Sequence, residues 1–232
     1  MANIFAIYKP VGPTSNRILS KIKKIVQTRQ KPEYSDGRFA KVGHAGTLDP
    51  LAEGVLVVAI GREATKQLST VVVKEKEYIA EITLGMTSST DDAEGEITIT
   101  NDKLRITNEE VKKILPKFIG EIMQVPPIYS ATKVGGQEAY KLARRGEYVK
   151  LGAGQVEIKE IEILNYNWPK LELRVIGSGV YIRSLARDIG QELNVGGYLS
   201  SLIRTRVGEF KIENAIDVDK NPAELLKKLN LC

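Results

Sequence analysis

The residues best suited to chemistry lie between Gly43 and Gly54, in the run Gly-His-Ala-Gly-Thr-Leu-Asp-Pro-Leu-Ala-Glu-Gly. It holds the chain's single histidine, His44, and sets Asp49 directly before Pro50. The residue before a proline is pushed out of the helical region. So many glycines disfavour a helix or strand interior, where each costs up to about 1 kcal/mol against alanine. Asp49 is therefore expected on a bent loop. The apolar run Val55–Ile60 follows, with the length and composition of a strand buried on both faces. A reactive carboxylate on such a loop must be ionised and shielded from water. Burial alone would protonate it, and a nearby guanidinium, charged in any environment, offsets that. Local physics alone favours a structural reading: an aspartate in such a loop more often caps a turn, and a lone histidine more often packs or faces solvent.

Ile4–Tyr8 reads as a first strand, and Lys9–Pro13 as a turn with two prolines. Thr14 or Ser15 caps a helix whose apolar face is Ile18, Leu19, Ile22, Ile25 and Val26. Its basic residues Arg17, Lys21, Lys23 and Lys24 read as a solvated face. Arg29–Ala40 is polar and reads as a flexible loop. Tyr78, Ala80, Ile82 and Leu84 alternate with polar residues, as in a half-buried strand opened by Tyr78. Thr87–Gly95 reads as a polar turn, with Glu96–Thr100 returning as the paired strand. Thr107-Asn-Glu-Glu110 is a capping box ahead of a helix stripe of Val111, Ile114, Leu115 and Phe118. Consecutive prolines keep Val125–Lys133 out of a regular helix. Gln137–Arg145 reads as a short helix stopped by Gly146, and Val156–Leu164 and Leu171–Ile176 as strands. Ser178–Gly190 reads as a strand end entering a helix, and a last short helix falls around Ala223–Leu231.

The 232 residues suit one large domain, or a domain with a small appendage. A hydrophobic fraction of 42% and a charged fraction of 27% are those of a soluble globular protein. No apolar run approaches the roughly 20 residues of a membrane span, and the N-terminus lacks the pattern of a signal peptide. The one cysteine, Cys232, excludes an internal disulfide and a cysteine metal cluster. These features point to the cytoplasm. A net charge of +5 permits a polyanionic partner without requiring one. Pattern alone supports an α+β fold.

The run from Lys41 to Leu56, Lys-Val-Gly-His-Ala-Gly-Thr-Leu-Asp-Pro-Leu-Ala-Glu-Gly-Val-Leu, resembles the signature of the TruB family of pseudouridine synthases. Further blocks follow in the family's order: the opening Tyr-Lys-Pro-x-Gly, Gly61–Lys66, Val125–Lys133 (Pro-Pro-x-Tyr-Ser-Ala-x-Lys), Ser178–Leu185 around Tyr-Ile-Arg, and Gly196–Phe210. Val180 stands where the family usually has threonine, Tyr198 where it often has histidine, and Ile203 where it has arginine.

The resemblance implies a mixed, mostly antiparallel sheet flanked by helices, with a catalytic cleft. The catalytic domain would span 1–210. The remaining 211–232 are too few for the RNA-binding PUA domain that usually follows in bacterial relatives. The implied reaction is isomerisation of uridine to pseudouridine in the T-loop of tRNA, at position 55 in tRNA numbering, with no cofactor and no metal. Asp49 is the implied reacting carboxylate, Arg183 its partner, Tyr78 the platform on which the flipped base stacks, and Tyr181 a support for the pair or an aid to proton transfer. His44 would stand near the flipped base or touch a phosphate. Lys21, Lys66, Lys133, Arg144 and Arg204 would meet phosphates. A monomer acting on the tRNA T-arm, without an obligate protein partner, follows from the same likeness. A non-catalytic tRNA-binding or tRNA-folding module, a base-removing N-glycosidase and a guide-RNA-dependent synthase are the competing readings.

Overall fold

Strand β1 (Ile4–Lys9) leads through a turn into helix α1 (Ser15–Gln27), whose N-cap is Thr14, the hydroxyl accepting from the Arg17 amide at 3.2 Å. Then come β2 (Val42–Ala45), β3 (Ala52–Ile60), α2 (Arg62–Lys66) and α3 (Leu68–Val72). Next are β4 (Lys76–Leu84), β5 (Met86–Ser88), β6 (Ile97–Ile99), α4 (Asn108–Ile114), β7 (Gly120–Gln124), β8 (Lys133–Val134), β9 (Gln137–Glu138) and α5 (Ala139–Arg144). The long strands β10 (Gly154–Asn167) and β11 (Lys170–Ser178) precede α6 (Ile182–Glu192), β12 (Gly197–Val207), β13 (Phe210–Lys211) and α7 (Pro222–Lys228). This computed structural model describes residues 3–29, 40–100 and 104–231. The expected loop of Arg29–Ala40 therefore lies, but for its two end residues, outside the described residues. Among the described residues, no helix is long and apolar enough to cross a membrane.

The chain forms two compact units, Met1–Glu77 with Ile203–Cys232, and Tyr78–Leu202. In the first, β3 pairs antiparallel with β1, from Ile4↔Ala59 to Lys9↔Gly54, and with β2, from Val42↔Ile60 to Ala45↔Val57. Its run Val55–Ala59 is fully buried, as an apolar run without alternation requires. On one side of β3, Ile7, Leu56, Val58 and Ile60 pack with Ile18, Leu19, Ile22 and Val26 of α1 and with Leu225 of α7. On the other, Val55 and Val57 pack with Ala6, Ala45, Val71 and Val207.

The glycine-rich stretch is more ordered than its composition suggests. Gly43 and His44 belong to β2, and Gly54 sits inside β3, so the irregular segment shrinks to 46–51. Gly54 has φ +106°, and a Cβ there would lie 2.3 Å from the backbone oxygen of Arg204. This glycine serves a close strand-to-strand approach rather than a flexible loop.

In the second unit the strand order is β12-β4-β11-β10-β7. The β10–β11 and β10–β7 ladders are antiparallel, with two irregularities where β10 bends against β11. Tyr78, Ala80, Ile82 and Leu84 are buried on β4 as their alternation predicts. The strand at Ile97–Ile99 does not pair with β4. Gly85, at φ +81°, turns the chain away, and β6 pairs with β5 in a separate hairpin. The capping box at Thr107 forms as expected.

Candidate active site

In the first unit, Asp49 is half-buried on the irregular segment between β2 and β3. The neighbouring backbone is fastened from several directions. Ser15, 2% exposed in the first turn of α1, donates its hydroxyl proton to the Leu48 carbonyl at 3.0 Å and accepts the Leu48 amide at 2.9 Å. The Asp49 carbonyl accepts the Ala52 amide at 3.1 Å, and the Pro50 carbonyl accepts the Gly12 amide at 2.8 Å. Lys9, fully buried, donates to the carbonyls of Ala52 at 2.5 Å and Pro10 at 3.0 Å. Arg204, 2% exposed on β12, donates through Nε to the Val55 carbonyl at 2.8 Å and through Nη2 to the Gly46 carbonyl at 3.0 Å. One guanidinium thus holds both ends of the segment that carries Asp49.

The electrostatics follow from these buried cations. Lys76 is 8% exposed, and its ammonium donates to the carbonyls of Val72 and Lys74 at 2.7 and 2.9 Å. Burial, then the Arg204 charge, push its pKa down to about 8. The same two causes lower the pKa of His44, so its imidazole is held neutral near pH 7. Its Nδ1 is buried without a hydrogen-bond partner among the described residues. The Tyr8 hydroxyl donates to Glu53, and this bond, ahead of burial, raises the Tyr8 pKa to about 12.

In the second unit, Tyr78 is 7% exposed on β4. Tyr181 is the N-cap residue of α6. Its amide donates to the Gln124 side chain at 2.9 Å, and its hydroxyl lies 3.1 Å from that of Thr132. Arg183, 8% exposed in the first turn of α6, donates to the Tyr129 carbonyl at 2.9 Å and reaches the Asp92 carboxylate and the Thr90 carbonyl at 3.5 Å. Asp92 is itself 2% exposed and accepts from the Thr90 hydroxyl at 2.5 Å and the Glu94 amide at 3.0 Å. Sequence reasoning passed over Asp92, because Thr87–Gly95 has the composition of a solvated turn. Its pattern Asp-Asp-Ala-Glu-Gly offers no cue that one carboxylate is buried against an arginine.

The residues expected to meet phosphates fare differently. Lys133 and Arg144 are exposed, Arg144 lying 5.6 Å from the Tyr140 ring centroid. Lys21 pairs with Asp219, and Lys66 with Glu63 at 2.7 Å. Arg204 departs from the expectation, because its guanidinium is buried on backbone carbonyls. The first unit has 19 Lys and Arg against 12 Asp and Glu, a net +7, whereas the second has 15 against 17, a net −2. The net positive charge of the chain therefore resides in the first unit.

The architecture is the α+β pseudouridine synthase fold. Solved structures that share it include a Cbf5–Nop10–Gar1 complex, at 29% identity and a TM-score of 0.70, covering 99% of this chain and 56% of that chain. Another is an H/ACA RNP bound to a substrate RNA containing 2′-deoxyuridine, at 27% identity and a TM-score of 0.67, with the same coverage. This chain thus spans a little over half the length of those chains. Residues 34–182 match the family described as TruB family pseudouridylate synthase (N terminal domain), and the chain belongs to that family. Relatives named tRNA pseudouridine synthase B include one from Phocaeicola vulgatus, 50% identical over 92% of this chain and 89% of the relative. One from Bacteroides fragilis is 46% identical over 91% of this chain and 89% of the relative.

Proposed function

We propose that this protein isomerises uridine to pseudouridine in the T-loop of tRNA, at position 55 in tRNA numbering, with residues 1–210 forming the catalytic part. It acts as a monomer on the T-arm, in the cytoplasm. Kinship with tRNA pseudouridine synthase B over most of both chains supports tRNA as substrate. It outweighs the weaker likeness to the H/ACA RNP, which would favour a guide RNA.

The observation that carries the mechanism is the fastening of the Asp49 segment by Ser15, Lys9 and Arg204. Holding a reacting group in place removes part of the entropic barrier of the reaction. The buried cations Lys9, Lys76 and Arg204 set a positive potential in the same unit, which favours the ionised carboxylate.

In the reaction the N1–C1′ bond of uridine breaks, the uracil turns, and a C5–C1′ bond forms. The C5 hydrogen leaves as a proton, N1 gains one, and no atom or electron is lost. Asp49 is the reacting carboxylate, and Arg183 the guanidinium that keeps it ionised. Tyr78 stacks on the flipped base, which returns roughly 1–3 kcal/mol toward the few kcal/mol of unstacking. Tyr181 supports Arg183 or relays a proton. His44, neutral, stands near the base as an uncharged polar group. Exposed Lys133 and Arg144 meet phosphates, as do Lys21 and Lys66 once they exchange their carboxylate partners.

The test is site-mapped pseudouridine formation on tRNA, read by carbodiimide mapping or mass spectrometry, with wild type beside Asp49→Asn. The variant's rate should fall to roughly one-thousandth or less, as on removal of a nucleophile. Full activity in that variant would remove Asp49 from the mechanism, and release of free uracil would turn the reading toward a glycosidase.

A further inference from the structure

Two arginines on α6, Arg183 and Arg187, stand four residues apart and so share a helix face, about 6 Å apart along the axis. Both reach the same turn of the second unit. Arg183 meets Asp92, with Nη1 at 3.5 Å from Oδ2, and Arg187 meets the adjacent Asp91, with Nη1 at 2.9 Å from Oδ2. In an extended chain, consecutive side chains point to opposite faces. Asp91 escapes this because its φ is +61°, a left-handed conformation that aspartate and asparagine tolerate better than most residues.

Both arginines also reach the Gln124–Ser130 segment. Arg183 donates to the Tyr129 carbonyl and Arg187 to the Val125 carbonyl, each at 2.9 Å, and Ser184 donates to the same Val125 carbonyl at 2.8 Å. The Asp91 carbonyl accepts the Leu199 amide at 3.0 Å, which anchors the turn to β12. Arg187 further holds Asp188 at 3.0 Å through Nε.

The lengths of these contacts differ in a telling way. Arg183 meets Asp92 and the Thr90 carbonyl at 3.5 Å, at the outer edge of hydrogen bonding. Arg187 holds the same turn at 2.9 Å through a charge-assisted bond, roughly twice as strong as a neutral one. The Asp91–Arg187 rung is the shorter of these two ion pairs between the turn and α6.

We propose that Arg187, through Asp91 and the Val125 carbonyl, is a positioning residue that holds the 88–95 turn and the 124–130 segment around Arg183. The proposal rests on the reading of Arg183 as part of the active site. It assigns Arg187 no contact with substrate. Its effect is to keep the Arg183 guanidinium in one orientation, so its loss falls on turnover rather than on tRNA affinity.

The experiment pairs amide hydrogen exchange, read by mass spectrometry on the full chain, with kinetics on tRNA for Arg187→Gln, Arg187→Lys and Asp91→Asn. Asp91→Asn keeps the left-handed turn and removes only the charge. Arg187→Gln should raise exchange in both segments about tenfold or more, as local opening becomes easier. It should lower kcat about tenfold or more while KM for tRNA stays within about twofold. Arg187→Lys should recover part of kcat, because an ammonium restores the pair with Asp91 but not the fork that also reaches Val125. The double variant Arg187→Gln with Asp91→Asn should be no slower than the worse single variant. Unchanged exchange in both segments would overturn the proposal, and so would a loss confined to KM. If Arg187→Gln does not fold, Asp91→Asn is held to the same two criteria. A wild-type protein that makes no pseudouridine would sink the functional reading alone, and the exchange measurement would still decide whether Arg187 fastens those segments.

Discussion

Replacing Ser15 by alanine separates the stability of α1 from the placement of Asp49. The Ser15 hydroxyl is 2% exposed and makes two bonds to one residue, Leu48, itself 3% exposed. Alanine leaves a buried amide and a buried carbonyl of Leu48 without that partner, each costing about 1–3 kcal/mol. The better helix propensity of alanine returns about 0.5 kcal/mol. The expected net loss is roughly 3 kcal/mol, and for a chain of this size it lowers Tm by roughly 6–12 °C. Thr14→Ala is the control. It removes only the exposed N-cap bond and costs about 1 kcal/mol. Well below both melting temperatures, Thr14→Ala should turn over like wild type. Ser15→Ala should be slower by up to about 100-fold, the cost of a reacting group displaced by about 1 Å. Urea unfolding and single-turnover pseudouridine formation measure the two quantities. A Ser15→Ala protein within about 1 kcal/mol of wild type, turning over at the same rate, would refute the reasoning that this hydroxyl places the Asp49 segment.

Arg204→Gln leaves the Val55 and Gly46 carbonyls without that donor and should destabilise by about 2–6 kcal/mol, at about 1–3 kcal/mol each, yet leave the salt dependence of tRNA binding unchanged, whereas Lys133→Gln or Arg144→Gln should each lower the slope of log K against log salt by about 0.7–0.9. A reduced slope in Arg204→Gln would return that residue to the phosphate contacts. Lys76 binds its proton less tightly when folded, with a pKa of about 8 against an ordinary 10.5, so the unfolded chain holds more protons between those values and stability rises with pH there. The gain between pH 8 and 10 should be about 2 kcal/mol and absent in Lys76→Met, by equilibrium unfolding. Above pH 10 Tyr8 works in the opposite sense, because its raised pKa keeps it protonated in the folded state alone.

How much of this was legible beforehand depends on whether the physical cause is local. The Asp49–Pro50 bend, the Thr107 capping box, the buried run in β3 and the alternation of β4 each arise within a few residues, and the structure has all of them. Ser15 illustrates the opposite case. Its pattern fits a helix cap, and only the tertiary placement of Leu48 turns its hydroxyl toward a segment 33 residues away. Gly54 looked like loop composition, although what demands glycine is the backbone of Arg204, which approaches from 150 positions later. Arg204 itself was placed by its charge, and charge alone does not say whether a guanidinium faces phosphate or carbonyl. Arginine can serve either role because its fork of donors matches both and it stays charged when buried. The same ambiguity hid Asp91 and Asp92, whose carboxylates in a Ser-Thr-Asp-Asp turn read as solvated until two arginines arrive from α6. Asp49 stands out through the family signature around it, whereas the residues that fasten its segment act on backbone groups distant in sequence. Substitutions at Ser15, Arg204 and Arg187 therefore test the structure in a way that substitution at Asp49 does not.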